Sequence, residues 1–356
     1  MDKTASLTPQ LEVKVNNILW TQSHSAIKAD LISAVVTEDM EAPGMFAITL
    51  KTRDLLSGEY TWVDDSLFAV GNTIEIRMGD GIQIDTLMVG EITGLEPEYE
   101  QNQVPTLVVR GYDLRHRLMR GQKTRSFTKM KDSAIASQIA SDLRLGSQVK
   151  PTQVELDYVL QHNQTDLEFL QSRAKRIGYE VSIKRKVLYF QPHDNTTSKV
   201  LTLTYGKNLL SFSPRLSAMN QNNAVEVRGW DVKQKKSTIG KAEAKELSLS
   251  GSDKISGLQS SKKVFGQASR VIVTEPMASV MEAKQVAKGQ LESMALAYIT
   301  GQATCLGNPK VRAGQVLEIL GVGQRFGGSY YVTAVTHIYE RQGGYRTEFE
   351  VRRNAT

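Results

Sequence analysis

The feature that most constrains this chain is a β-strand pattern that occurs twice. Gly71-Asn72-Thr73-Ile74-Glu75-Ile76 resembles Gly314-Gln315-Val316-Leu317-Glu318-Ile319. Val89-Gly90-Glu91-Ile92-Thr93-Gly94-Leu95 resembles Val332-Thr333-Ala334-Val335-Thr336-His337-Ile338 in the spacing of its apolar residues, and strands ending Val109-Arg110 and Val351-Arg352 close the two copies. Upstream, 31–37 and 45–50 find counterparts at 209–213 and 224–228. The second copy then holds an insertion, 232–295, where the first has a short loop near 53–70. A second near-repeat, Val109-Arg110-Gly111-Tyr112-Asp113 with Val227-Arg228-Gly229-Trp230-Asp231, falls at different points of the two copies and reads as shared turn chemistry.

The first ~110 residues alternate apolar and polar side chains, the period of half-buried strands. Leu11–Val15, 31–37, 45–50, 73–77, 86–92 and 106–110 are predicted strands. Turn-forming clusters at Ala42-Pro43-Gly44, Leu56-Ser57-Gly58 and Gly79-Asp80-Gly81 separate them. After Asp113 the period changes. Asp132-Ser133 can cap a helix with the stripe Ile135, Ile139, Leu143, ending before Gly146. Thr165-Asp166-Leu167-Glu168 is a capping box opening a second helix with the stripe Leu167, Leu170, Ala174, Ile177, closed by Gly178. A hairpin pairs 179–183 with 187–190 through Lys184-Arg185. Residues 233–263, rich in Lys, Ser and Gly with few large apolar side chains, read as a mobile or irregular stretch. Pro276 opens a helix that buries Val280, Ala283, Ala287, Leu291 and Met294. Strands 316–320, 330–336 and 347–352 finish the chain.

The fold class expected is α+β and mainly β: two similar tube-type β-barrel domains, the second discontinuous, around a helical α+β middle domain. The boundaries are 1–114 for the first barrel, 115–206 for the middle domain, 207–232 with 296–356 for the second barrel, and 233–295 for an insertion with a lysine-rich loop and a helix.

The residues offer little chemistry. The single cysteine, Cys305, excludes an intramolecular disulfide and a cysteine-rich zinc site, and reads as a lone buried thiol. Histidines at 24, 116, 162, 193 and 337 lack metal-ligand spacing. The glycine-rich run Gly321–Gly328 sits between strands, where a dinucleotide fingerprint needs a strand followed by a helix. Asp113 and His116 can share a helix face as an acid–base pair; the plainer reading makes Asp113 a turn residue and His116 an exposed member of a basic helix. Asp64-Asp65 lie in a solvated loop. Seven basic residues from Arg115 to Lys131, with no acid among them, form a partner-facing surface or a phosphate-binding one, although Phe127 alone is present for base stacking. Glu91, Glu96, Glu98 and Glu100 form an acidic counterpart that can meet it within or between subunits. No catalytic, cofactor-binding or metal-binding residue is assigned. Net charge +6 is modest for 356 residues. A polar start from Met1 to Gln10 and the lack of an apolar run of about 20 residues imply neither signal peptide nor membrane span, hence assembly in the cytoplasm.

Three stretches together resemble the phage late-control D family. They are Arg110-Gly111-Tyr112-Asp113-Leu114-Arg115-His116-Arg117-Leu118 with the helix from Ile135; Gln161–Leu170 leading into Gly178-Tyr179-Glu180; and Gly307-Asn308-Pro309, Gly314, Gly327–Val332, His337 and Gly343–Phe349. The resemblance spans about residues 10 to 353, and the order and spacing of its parts carry it. It implies a structural baseplate hub, similar to the hub portion of type VI secretion VgrG proteins. Such a hub is a homotrimer whose two barrels per subunit make a pseudo-six-fold ring, joining a hexameric tail tube protein to a trimeric spike, with tape-measure and other baseplate proteins as further partners. Because the chain stops four residues beyond Arg352, the spike is expected to be a separate protein. No cofactor, membrane or specific nucleic acid is implied. Two other readings stay open: a tail-associated peptidoglycan hydrolase and a basic nucleic-acid-binding module.

Overall fold

The computed structural model describes residues 8–20, 26–52, 60–80, 83–251, 255–273 and 277–356. The turn at Leu56-Ser57-Gly58, Gly81 and the helix start at Pro276 lie outside the described residues. The first part of the chain forms β1 (Gln10–Val15), β2 (Ile18–Leu19), β3 (Leu31–Asp39), β4 (Met45–Lys51), β5 (Thr73–Gly79), β6 (Ile84–Glu98) and β7 (Thr106–Asp113). The middle contributes β8 (Lys123–Lys131), β9 (Gly146–Val149), β10 (Glu155–Gln164), β11 (Tyr179–Lys184) and β12 (Val187–Pro192). The rest forms β13 (Leu201–Thr204), β14 (Leu209–Leu216), β15 (Ala224–Asp231), β16 (Lys236–Glu243), β17 (Ser269–Ile272), β18 (Ile299–Leu306), β19 (Val316–Leu320), β20 (Gly328–Glu340) and β21 (Gly344–Arg353).

Alternation sets the buried face of the strands that the sequence predicts, while β2, β13 and β18 are not among them. In β4 the inward residues Phe46, Ile48 and Leu50 are fully buried, and in β5 Ile74, Ile76 and Met78 join the same core. A second core gathers Ala303 and Cys305 of β18, Leu317 and Ile319 of β19, and Phe349 and Val351 of β21. Both cores lie against one 13-stranded sheet. Within it two runs share one order: β3-β4-β7-β6-β5-β1, and β14-β18-β21-β20-β19-β13. The one difference in sense is at the end, where β1 pairs antiparallel with β5 while β13 pairs parallel with β19.

The two runs match residue by residue. Each first strand carries a bulge one residue in, at Ile32 between the pairs Leu31↔Leu50 and Ser33↔Thr49, and at Leu210 between Leu209↔Cys305 and Ser211↔Thr304. Each long strand carries another, at Thr93 and at Thr333. The Gly71 N–H donates to the Ile92 carbonyl, as the Gly314 N–H donates to that of Val332. These contacts correct the alignment read from sequence. Val332–Ile338 is the counterpart of Ile92–Glu98, three residues on from Val89–Leu95, so Tyr99-Glu100 matches Tyr339-Glu340. Gly111, and not Val109, matches Val351.

The insertion also moves. The counterpart of β4 is β18, whereas β15, expected in the second barrel at 224–232, belongs to a separate sheet of order β16-β15-β17. The long excursion therefore replaces the hairpin turn that is residues 40–44 in the first run. Leu216 faces Ile299 across the ladder, so the chain leaves and re-enters the sheet at opposed residues without disturbing its register. Alternation in β15 looks the same from either sheet, which is why sequence could not assign it.

The described residues of the inserted part share a core with the middle of the chain. Ile135 and Ile139 of the helix Asp132–Asp142, Leu167 and Leu170 of the helix Asp166–Arg176, Val225 and Val227 of β15, and Ala287 and Leu291 of the helix Val280–Leu296 form one apolar cluster. Val280 itself is exposed. Residues 233–263 were expected to be irregular, yet they hold β16 and the helix Gly257–Phe265, which opens on a capping box of Ser256 and Gln259. The inward side chains of β16 are Thr238, Gly240 and Ala242, small enough for the strand to press against the long helix: a Cβ on Gly240 would sit 2.1 Å from the Ala283 carbonyl carbon. A strand whose buried face is built from small residues carries no apolar signal. Gly289 likewise lets that helix touch the end of Asp166–Arg176, where an added Cβ would lie 2.4 Å from the Gly178 nitrogen. The capping box of Thr165 and Glu168 is formed. By contrast, Asp132 is the first helical residue, held by Arg173, and caps nothing. The β11–β12 hairpin turns one residue later than predicted, through Arg185 and Lys186, both at positive φ.

Gly289→Ala and Gly240→Ala should each destabilise the chain by about 1–3 kcal/mol through forced backbone separation. Gly94→Ala, which meets open space, should change the thermal midpoint little. Equal melting of all three variants and the parent would contradict the close packing described.

Candidate assembly interface

The two runs are joined by a ladder of seven antiparallel pairs, from Ala334↔Asp39 to Glu340↔Ser33, between β20 and β3. A side-chain clamp reinforces it. Arg312, in the loop before β19, donates from Nε to Glu38 Oε1 (2.7 Å), from Nη1 to the Thr86 carbonyl (2.8 Å) and from Nη2 to the Leu87 carbonyl (2.6 Å). The Ala313 N–H reaches the other Glu38 oxygen at 3.2 Å. The second run thus grips β3 and β6 of the first through one guanidinium, whose fixed fork suits several acceptors at once.

His337 fixes the loop that carries Arg312. The ring lies wholly buried in β20, with Nε2 3.0 Å from the Val311 carbonyl and Nδ1 2.8 Å from the Tyr345 hydroxyl. A carbonyl only accepts, so the proton is on Nε2, and Nδ1 accepts from Tyr345. Burial, with the Arg312 charge nearby, depresses the imidazole to about 3 and keeps it neutral. Thr347, 3.2 Å from Nδ1, also accepts the Asn308 N–H. The motif Gly307-Asn308-Pro309 and His337 therefore serve one purpose, shaping the Arg312 loop.

A second contact joins the middle of the chain to the sheet. The Tyr331 hydroxyl donates to Glu180 Oε2 at 2.5 Å, and burial pushes the Glu180 carboxyl up to about 7. Gln171 donates to the Glu41 carbonyl in the 40–44 turn at 2.7 Å. Two clefts of about 430 and 670 Å³ flank this contact and share Asp39, Met40, Glu180 and Tyr331. His193 lines the first, its pKa lowered by burial, and Lys184 lines the second, lowered for the same reason. The sequence points to neither Arg312 nor Glu38, and marks Glu180 only within the Gly178-Tyr179-Glu180 stretch without a role, because these residues bridge parts far apart in the chain.

The residues singled out from sequence are drawn into structural contacts. Asp113 is buried and accepts the N–H groups of Gly44 and Arg115, each at 2.8 Å, and Arg115 Nε at 2.9 Å. Asp231 does the same for Lys233 and Gln234, which is the turn chemistry the two Arg-Gly-aromatic-Asp stretches share. His116 is not an exposed helix residue: its Nε2 lies 2.8 Å from Glu91, which also binds Arg117 and is held below the usual carboxylate range by these partners against the opposing effect of burial. Lys123 and Arg125 engage Asp166, and Arg125 also engages Asp142. Much of the basic run thus faces acids of its own chain. Of the acidic counterpart, Glu91 meets that run, while Glu96 pairs with Arg110. Cys305 is buried in β18, its thiol pushed up to about 12. The Gly321–Gly328 run forms the turn from β19 into β20, with Gly321 and Gly323 at positive φ. Asp65 caps a short turn by accepting the Leu67 N–H. Among the described residues, no group of three or more His, Cys, Asp or Glu side chains is placed to hold a metal, and no helix is long and apolar enough to cross a membrane.

The model of the Alg8 N-terminal domain family matches residues 13–340. The chain belongs to the Alg8 N-terminal domain family. No curated protein matches this member of the family in sequence. Solved structures do share its fold. The 43 kDa tail protein of prophage MuSo2 from Shewanella oneidensis superposes with a TM-score of 0.71 at 13% identity, covering 97% of this chain and 98% of that one. The tail protein from Neisseria meningitidis MC58 gives 0.68 at 13% identity, over 97% and 96%. A component of the E. coli type VI secretion system, with structural similarity to T4 bacteriophage tail proteins gp27 and gp5, gives 0.60 at 12% identity, over 96% and 77%. At these identities the likeness is one of fold: mainly β, with large antiparallel sheets.

The His337 contacts carry a pH dependence. Its folded pKa is below the unfolded value near 6.5, so its contribution to stability is complete above that value and falls as pH drops toward about 3. Between neutrality and pH 5 the loss amounts to about 2 kcal/mol. His337→Gln keeps a donor and does not titrate, so denaturant titrations at both pH values should show a shallower acid decline than the parent. An unchanged decline would remove His337 from this role.

Proposed function

We propose that this chain is the structural hub of the baseplate of a contractile tail or injection system, and acts by assembly and not by catalysis. Three copies form a homotrimer, and each supplies two quasi-equivalent β units to a ring that meets the hexameric tail tube protein on one side and a trimeric spike on the other. The observation that carries this reading is the duplication itself: two runs of the same strand order with bulges at matching residues, joined into one sheet. A threefold object with two such units per copy presents six similar positions, which is what a sixfold partner requires. The fold shared with phage tail proteins and with a type VI secretion component supports the same reading.

In this proposal the first unit comprises residues 1–114. The second comprises about 200–216 with 299–356, and the middle, 115–199, is completed by 217–298 through their common apolar core. The particle tail is then the place of action, with tape-measure and other baseplate proteins as further partners. The reading that the 115–131 run binds phosphates is disfavoured by Arg115, Arg117, Lys123 and Arg125, whose charges already meet acids of the chain.

Sedimentation of the purified chain over a range of concentrations tests the proposal. We expect a species near three times 39.5 kDa, favoured at high concentration and when tube or spike protein is added. A chain that stays monomeric throughout and binds neither partner would overturn the hub reading.

A further inference from the structure

The internal seam shows how two copies meet. β20 pairs with β19 along its first half and with β3 along its second, on the same edge. β6 has the same construction: Ile84–Glu91 pairs with β5, and the Ile92 N–H reaches the Asn72 carbonyl. Beyond Ile92, however, no strand among the described residues lies along that edge, which runs on through Gly94–Glu98. At the far end of the sheet β14, the counterpart of β3, pairs with β18 alone. Each run therefore holds one half of a seam that is completed inside the chain only once. The half on β6 and the half on β14 are left over, and exposed strand edges are templates for another strand.

Resting on the ring-forming reading above, we propose that copies of this chain join through these edges, β14 of one copy lying antiparallel along Gly94–Glu98 of the next, in the register of the internal β20–β3 ladder. The residue matches already established set that register. Ala334↔Asp39 becomes Gly94 opposite Ser217, Val335↔Glu38 becomes Leu95 opposite Leu216, and Thr336↔Thr37 becomes Glu96 opposite Arg215. Tyr339↔Ala34 becomes Tyr99 opposite Phe212. Opposite charges thus face each other, and so do apolar pairs, with Arg215 also beside Glu98 on the same face of the strand pair. Tyr99 is more than half exposed in the single chain, as is Leu210 at the β14 bulge. A head-to-tail contact of this kind uses two different edges and closes into a ring when the rotation permits.

The join between copies is weaker than the internal seam, for two reasons on these edges. The Met40 N–H bonds the Thr333 carbonyl and the Arg341 N–H bonds the Ile32 carbonyl at either end of the internal ladder. Hydrogen-bonded pairs therefore alternate between them, and His337↔Val36 is one. At the positions matching His337 and Val36 stand Pro97 and Pro214. Neither has an N–H, so that slot is empty of donors, and each free edge is blunted at the same place. The arginine clamp is missing as well: two residues before the matched glycines stand Arg312 and Ala69, and Leu216 matches Glu38. Lone copies consequently resist edge-to-edge polymerisation, and the ring forms at high concentration or on a partner that gathers three copies.

Cysteine pairing in the full chain tests the register. Glu98 and Ser213 fall opposite each other in a non-hydrogen-bonded pair, a separation suited to a disulfide, and the native Cys305 is buried. The double variant Glu98→Cys/Ser213→Cys, oxidised mildly at concentrations where the parent is trimeric, should yield covalent trimers. Either single variant, or Glu98→Cys with Met219→Cys, should not. Charge reversal gives an independent reading. Glu96→Arg, which also gives up the Glu96–Arg110 pair within the chain, or Arg215→Glu should raise the concentration for half-assembly roughly fivefold, and the double reversal should restore most of it. Trimers that fail to link through 98 and 213, or a double reversal as weak as the singles, would overturn the edge assignment and leave the hub reading standing. A chain that never associates, with or without tube and spike proteins, would overturn both.

Discussion

The ladder between β20 and β3 is the contact on which the rest of the structure depends. It turns two separately cored runs into one sheet. It is held from the side by a relay in which His337 fixes the Val311 carbonyl, Val311 sets the position of Arg312, and Arg312 binds Glu38 together with two carbonyls of β6. A neutral imidazole suits this place because it offers one donor and one acceptor without a charge beside the guanidinium. A protonated ring would present a second donor to Tyr345 and a cation to Arg312, so the relay and its acid sensitivity have the same origin.

The middle of the chain and the inserted part need each other in a different way. The two-stranded β8–β10 sheet is too small to be stable alone, and the β16-β15-β17 sheet buries its apolar face against the helix Val280–Leu296. They share a core through the helices Asp166–Arg176 and Val280–Leu296, with the buried pair Arg176–Glu282 at 2.8 Å between them. The unit so formed touches the sheet through polar contacts such as Tyr331–Glu180, beside two open clefts. Apolar packing holds each unit together, and hydrogen bonds cross the boundary between them.

Much of this was legible in the sequence. Strand alternation located most strands of the large sheet but not β2, β13 or β18, the capping box at Thr165 marked its helix, and Gly71 and Gly314 flagged the repeat. What alternation cannot carry is register and partner choice. Alternation alone matches the repeat three residues out of step, because Val89–Leu95 and Ile92–Glu98 have similar apolar spacing. Only the bulges at Thr93 and Thr333 and the bonds from the two glycines decide between them. For the same reason alternation alone cannot tell that β15 belongs to the β16-β15-β17 sheet. The stretch 233–263 hid its order because Thr238, Gly240 and Ala242 pack by being small. At the internal seam, Arg312 and Glu38 are 274 positions apart in the chain, and no local pattern announces such a pair.

The place of the insertion has a geometric consequence. The first run crosses from β3 to β4 by the turn 40–44, while the second run crosses from β14 to β18 through an entire packed unit. Two halves with almost identical strands thereby acquire rims that differ completely. In a ring of three copies, bare and decorated turns would alternate around one edge. The wall would look sixfold to whatever contacts its strands and threefold to whatever contacts its rim.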